Sequence, residues 1–295
     1  MVLQIVKDWI GEMRPKTLSA SLSPVIIGCA LAIADGNFII GAALLCAGVA
    51  VLAQIASNLA NDYFDIIHGI DGEERVGPRR AALEGRISSK AILTAAIITL
   101  GLASLCGLGL LFYATWKIIF VGIFIAACVF AYSAGPYPLS RHAMGDIAVF
   151  IFYGIIPVCF TYFVQAGNFT VQTFLFATAI GVLSINILIM NNYRDIETDR
   201  AAGKITTAVL FGRGFLRIGY LLNVLLASAA IILYSQSWLA IAVAALFTLI
   251  GTMTWREITG KEGTELNIPF GHTARNVLIY AILSTIVILQ LKTIC

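Results

Sequence analysis

The sequence is short of charge, of histidine and of organised cysteine, and each shortage removes a class of function. Asp, Glu, Lys and Arg together make up 12% of its 295 residues, against about 25% in soluble globular domains. With 59% hydrophobic residues and a mean hydropathy of +0.91, the chain reads as an integral membrane protein. Its three histidines, His68, His142 and His272, show no metal-ligand spacing and no partner for a nucleophile. The six cysteines, Cys29, Cys46, Cys106, Cys128, Cys159 and Cys295, lie in apolar stretches or at the C-terminus without a CxxC. They read as small core residues rather than disulfides or zinc ligands. A formal charge of +3 is too small to imply nucleic acid. There is no G-x-S-x-G, Walker A or dinucleotide fingerprint, and the glycines scattered through the apolar stretches read as helix packing.

What the chain has in quantity is long apolar segments. A spanning helix needs about 20 mainly apolar residues. Nine segments qualify: 17–35, 39–61, 90–113, 116–133, 146–166, 170–193, 215–235, 237–255 and 274–291. The expected fold is all-α, one domain over residues 1–295, a bundle of nine transmembrane helices with two cytoplasmic cap loops. Before the first span, Val2, Ile5, Val6, Trp9, Ile10 and Met13 recur at helical spacing opposite Lys7, Asp8 and Glu12. That pattern predicts a helix lying in the membrane interface, not a signal peptide. Alternating nine spans puts 17 of the 19 basic residues on the N-terminal side, leaving Lys117 and Lys292 opposite. Of the 16 acidic residues, only Asp35 falls on the far side. The positive-inside rule then predicts a multi-pass protein of the inner (cytoplasmic) membrane with its N-terminus in the cytoplasm. The two long loops, roughly 62–89 and 194–214, face the cytoplasm too.

Both loops open with versions of one phrase, Asn61-Asp62-Tyr63-Phe64-Asp65-Ile66 and Asn191-Asn192-Tyr193-Arg194-Asp195-Ile196. Each sets Asn and Asp four residues apart, on one helix face, and each has a further carboxylate downstream, Asp71 or Asp199. Ending the second and sixth spans, the motifs suggest two related four-helix halves and a ninth helix. Gathered in one pocket, Asp62 or Asp71 with Asp65, Asp195, Asp199 and Asp146 need cations: each like-charged pair near 4 Å repels by about 4 kcal/mol at an effective dielectric of 20. Carboxylate and amide oxygens favour a hard ion such as Mg²⁺, which shares its remaining positions with phosphate oxygens and water. Basic residues follow each motif: Arg75, Arg79 and Arg80 after the first, Arg200 and Lys204 after the second. Arg binds phosphate bidentately and Lys as a point charge, so the combination describes a diphosphate site. Arg80 and Lys204 stand out because Gly77-Pro78 and Gly203 turn the backbone tightly beside them. Asp146, after Arg141 and Gly145, reads as a helix cap, and Arg14-Pro15-Lys16 as an interfacial anchor where the first span starts.

Asn61-xxx-Asp65 with Asp71, and Asn191-xxx-Asp195-xxx-Asp199 with Arg200, Gly203 and Thr206, resemble the two aspartate-rich motifs of the UbiA superfamily of intramembrane prenyltransferases. Within it, Arg14-Pro15-Lys16-Thr17-Leu18, Asn58-Leu59-Ala60-Asn61-Asp62-Tyr63 with Gly69-Ile70-Asp71, Arg75-Val76-Gly77-Pro78 with Arg80, and Gly145-Asp146-Ile147 resemble the naphthoate-prenylating branch of menaquinone biosynthesis. The late position of Asp71 departs from the commoner Asn-xxx-Asp-xxx-Asp spacing and is shared with that branch. The resemblance implies nine transmembrane helices and a Mg²⁺-dependent transfer from polyprenyl diphosphate to 1,4-dihydroxy-2-naphthoate. It implies Asn61, Asp65, Asp71, Asn191, Asp195 and Asp199 as metal ligands, with Asn61, Asp65, Asp195 and Asp199 central to catalysis. It implies Arg75, Arg80, Arg141, Arg200 and Lys204 as diphosphate contacts, and Tyr63, Tyr132, Tyr153 and Tyr193 as aromatic faces for an allylic cation. The prenyl tail would stay in the apolar surroundings of the lipid bilayer. Two alternatives stand beside this: the same chemistry on 4-hydroxybenzoate or homogentisate, and a secondary transporter, which would place its polar groups near the bilayer midplane.

Overall fold

The structure is a computed structural model that describes residues 2–68, 76–77 and 80–294. Apolar residues at helical spacing with few breakers give helices throughout: α1 (Val2–Met13), α2 (Leu18–Ala34), α3 (Ile40–Ile67), α4 (Ser89–Gly109), α5 (Ile118–Ala131), α6 (Gly145–Phe150), α7 (Ile156–Ala166), α8 (Val171–Arg194), α9 (Ile196–Ala201), α10 (Thr207–Tyr234), α11 (Trp238–Ile258) and α12 (Asn267–Ile294). A π-helical turn, Ile151–Ile155, joins α6 to α7 as one membrane-length helix. Side-chain N-caps start several of these: Ser88 for α4, Thr170 for α8, Thr206 for α10 and Ser237 for α11.

Among the described residues, eight helical stretches are long and apolar enough to cross a membrane. α5, in the place of the expected span 116–133, has 14 residues, or about 21 Å of helix at 1.5 Å per residue. It still carries the chain between the two ends of the bundle. It begins near the end where Tyr113 presses on Gly41, and finishes beside Tyr132, whose hydroxyl faces Gly145. Three helices outrun the segments expected from hydropathy: α3 continues to Ile67, α10 starts at Thr207 and α12 at Asn267. The additions bring charged or polar residues into the helices, Asp62 and Asp65 in α3, Arg213 in α10, and Asn267 and His272 in α12, and these lower a hydropathy average. Inside α10 the helix breaks at Gly212 (φ 76°, ψ 172°), a conformation that only glycine holds without strain.

α3 packs on α4, α2 on α12 and α7, and α8 on α10. The π turn and α8 pack backbone to backbone: a Cβ on Gly154 would lie 2.5 Å from Gly181 Cα and 2.6 Å from Ala177 O. The main apolar core runs through α2, α7, α8, α10, α11 and α12. α3 and α4 instead share a smaller cluster with the segment Ala81–Ile87.

Candidate active site

The extension of α3 places Asn61, Asp62 and Asp65 on its last two turns. Asn61 faces a central cavity of about 490 Å³. Asp62 is fully buried, and its Oδ1 pairs with the guanidinium groups of both Arg14 and Arg80. Arg80 Nη1 also lies 3.6 Å from Asp65 Oδ2, so it spans two carboxylates one helical turn apart.

The second motif is built at the end of α8. Asn191 lines the same cavity. Arg194 donates to both oxygens of Asp195 (2.7 and 2.8 Å), to Asn191 Oδ1 (3.1 Å) and to Asn267 Oδ1 (3.0 Å). Asp199, on α9, meets Lys204 Nζ at 3.1 Å. That meeting depends on Gly203, whose φ of 69° turns the chain so that the Lys204 N–H donates to Asp199 O. Burial pushes the Asp199 carboxyl above its usual range; Lys204 opposes this, while Asp195 and Asp65 add to it. The carboxylates of the two motifs therefore act on one another although 130 residues separate them in sequence.

Beyond Lys204 the chain forms a parallel bridge, with Ile205 donating to Arg141 O at 3.0 Å and Ala143 donating to Ile205 O at 2.7 Å. Arg141 is thereby fixed next to Lys204, and its Nη2 is buried with no hydrogen-bond partner among the described residues. An anion would satisfy that donor, which otherwise carries its full desolvation cost. Asp146, in the first turn of α6, accepts a hydrogen bond from Thr207 and so ties α6 to the start of α10.

Deeper in the cavity the wall is apolar, with Val25, Val49, Ile125, Phe152, Phe160 and Val164. Its polar strip is Gln54, which accepts from Tyr153 and donates to Asn58 Oδ1 at 3.1 Å; Asn58 in turn donates to Met13 O at 3.2 Å. Tyr132 and Tyr153 line the cavity. Tyr63 and Tyr193 do not line it: Tyr63 stacks edge-on to Phe64, and Tyr193 is buried under the Arg213 guanidinium.

The structure thus brings Asn61, Asp65, Arg80, Asn191, Asp195, Asp199 and Lys204 to one end of the bundle, with Arg141 beside Lys204. Arg200 is placed differently, half exposed and paired with Glu197 at 3.0 Å. Asp71 and Arg75 lie outside the described residues. Arg14, expected as an interfacial anchor, lines the cavity. Arg194 and Gln54 were not expected in the site. Their signal in the sequence is a polar side chain one helical turn from a motif Asn, or two turns before one.

Among the described residues no three His, Cys, Asp or Glu side chains are already gathered as a metal-ligand set. The motif carboxylates pair instead with Arg14, Arg80, Arg194 and Lys204. The donor set is nonetheless one of hard oxygens, and Asp199 is crowded by other carboxylates. Such a set fits a hard divalent cation.

Fold and site together define an intramembrane transferase class. The model of the UbiA prenyltransferase family matches residues 21–284, and the chain belongs to that family. It is 39% identical over 210 residues to 1,4-dihydroxy-2-naphthoate octaprenyltransferase of Escherichia coli, covering 69% of this chain and 68% of that protein. It is 35% identical over 278 residues to the protein of the same name from Mycobacterium tuberculosis, covering 93% and 94%. In fold it matches a UbiA homolog from Aeropyrum pernix (TM-score 0.71, 16% identity, 93% of this chain and 98% of that one). It also matches a UbiA homolog from Archaeoglobus fulgidus bound to DMAPP and Mg²⁺ (TM-score 0.66, 17% identity, 94% and 99%).

Proposed function

We propose that this chain transfers a polyprenyl group from polyprenyl diphosphate to 1,4-dihydroxy-2-naphthoate with loss of the naphthoate carboxylate, giving a demethylmenaquinol. The observation that carries the proposal is the meeting of two acidic motifs and their basic partners at the polar end of an otherwise apolar cavity. Similarity over most of the chain to proteins named for naphthoate prenylation supports this choice of acceptor.

In the reaction the allylic C–O bond breaks and its electron pair leaves with the diphosphate. The ring carbon bearing the carboxylate bonds to the allylic carbon. Carbon dioxide then departs, and the electrons of its C–C bond restore the aromatic ring. Arg80, Lys204 and Arg141 take diphosphate oxygens and stabilise the leaving group, with Arg75 as a further contact from the first loop; Arg200, turned to Glu197, is left out of the set. Asn61, Asp65, Asp71, Asn191, Asp195 and Asp199 hold Mg²⁺, which when bound neutralises the diphosphate. Because Arg80 and Lys204 are bonded to motif carboxylates, substrate binding exchanges partners, freeing carboxylate oxygens for cations and cationic side chains for phosphate. Phe152, Phe160, Tyr132 and Tyr153 offer aromatic faces to the allylic cation. The apolar wall keeps isoprenoid carbons out of water, each buried CH₂ being worth about 0.8 kcal/mol. The site faces the cytoplasm of an inner-membrane protein with nine crossings, α5 included; the division of basic residues supports that orientation.

The test is an acceptor competition. Membranes carrying the protein receive Mg²⁺, a polyprenyl diphosphate and equal 1,4-dihydroxy-2-naphthoate, 4-hydroxybenzoate and homogentisate. Prenylation of the naphthoate is expected to dominate, and preference for a monocyclic acceptor would assign the chain to another branch of the family.

A further inference from the structure

Glu12 is a buried carboxyl that the proposed reaction leaves without a task. It sits in the last turn of α1 and is 1% exposed. Its Oε1 accepts the Ala82 N–H at 3.0 Å. Its Oε2 is buried without a partner among the described residues, and so is Asp62 Oδ2; the two carboxyl groups lie within hydrogen-bonding reach of each other. Two acceptor oxygens cannot satisfy one another, so this buried corner calls for a donor between them.

We propose that Glu12 is a positioning residue for the diphosphate site, gripping Arg80 at two points. One is Ala82, two residues after Arg80, which fixes the base of the segment that carries the guanidinium. The other is Asp62, whose opposite oxygen is the partner of Arg80. The same corner sets Arg14, two residues after Glu12, on that oxygen. Arg14 does this from a left-handed backbone conformation (φ 52°, ψ 63°), which a non-glycine residue keeps only where its surroundings fix it. A buried carboxyl is a poor device for stability alone, since an apolar side chain of similar volume holds a helix end at least as well. One turn earlier, Asp8 forks with Arg86 through two 3.0 Å hydrogen bonds on the surface. That pair ties α1 to the same segment without touching Arg80 or Asp62.

The inference rests on the diphosphate reading above, and the experiment separates the two. Binding of farnesyl diphosphate in Mg²⁺ is titrated on detergent-purified full-length protein, and KM is measured for both substrates. Glu12→Leu fills the volume without polar contacts. It is expected to weaken farnesyl diphosphate binding and raise the prenyl diphosphate KM by about tenfold, while the acceptor KM stays within about twofold. Glu12→Gln offers oxygen to Ala82 and N–H to Asp62, and is expected to restore both quantities. Glu12→Asp shortens the reach by one methylene and should show the same split at smaller size, which keeps the test intact if Glu12→Leu does not fold. Unchanged diphosphate binding in Glu12→Leu, an equal rise in both KM values, or a Gln variant as impaired as Leu overturns the inference alone. Wild-type protein that binds no farnesyl diphosphate overturns the diphosphate reading and this inference with it.

Discussion

Arg194 closes a fork on its own neighbour, donating to the two oxygens of Asp195 at 2.7 and 2.8 Å. The second motif is thereby held in register before any substrate arrives. The same guanidinium fastens Asn191 and, from the start of α12, Asn267, so one buried cation joins α8 to α12 around a carboxylate. Arg194→Lys replaces the fork with a point charge that cannot reach all three partners. It should lower stability by about 1 to 3 kcal/mol, the cost of leaving buried partners unpaired, and reduce turnover as well. Thermal unfolding in detergent together with initial rates checks both; wild-type values in each would show that the fork is incidental.

Asp65→Asn and Asp195→Asn preserve size and one acceptor oxygen while removing the charge a cation needs. Electrostatic interactions of this kind supply about 3 to 4 kcal/mol each, so each variant should lose roughly 10² to 10³ in rate while folding and inserting normally. Glu262, exposed and paired with Arg213, is the control: Glu262→Gln should keep most activity. Near-normal rates for Asp195→Asn at low Mg²⁺ would remove the second motif from the metal site.

Gly154→Ala should destabilise the protein and impair activity together. The added methyl would press on the backbone of α8 at 2.5 Å, and closely packed backbone cannot yield as a flexible side chain does. The matched control is Gly122→Ala, where a Cβ meets nothing within 4 Å. Equal melting temperatures for the two variants would refute the close contact between the π turn and α8.

Reporter fusions at Gly167, after α7, and at Gly203, after α9, should report opposite membrane sides, since α8 is the single membrane-length helix between them. Labelling of both sites from the same side would remove the basis for the orientation.

The apolar segments were legible because hydropathy and the division of basic residues are independent signals that agree on the same spans. The motifs were legible because Asn-xxx-Asp fixes one helix face whatever surrounds it. What the sequence hides is who pairs with whom. Asp62 meets Arg14 across 48 residues, and Tyr153 meets Gln54 across 99; no local periodicity encodes either contact. Arg14 looks like every other basic residue at a membrane entrance, and only the left-handed corner after α1 turns it into the cavity. Arg200 shows the converse: its place next to Asp199 in sequence points it around the short helix α9 to Glu197, away from the site. The ends of α3, α10 and α12 ran past the span limits because a hydropathy window follows transfer free energy, not where the helical hydrogen bonds stop.

The central claim is that both motifs serve one diphosphate whose prenyl group goes to a naphthoate. The most direct measurement is mass spectrometry of the product formed by purified protein with Mg²⁺, a polyprenyl diphosphate and 1,4-dihydroxy-2-naphthoate labelled with carbon-13 in its carboxylate. The account predicts a prenylated product that has lost the label, release of labelled carbon dioxide in equal amount, and no product once the metal is chelated. A prenylated product that keeps the labelled carboxylate, or undiminished product under chelation, would contradict it.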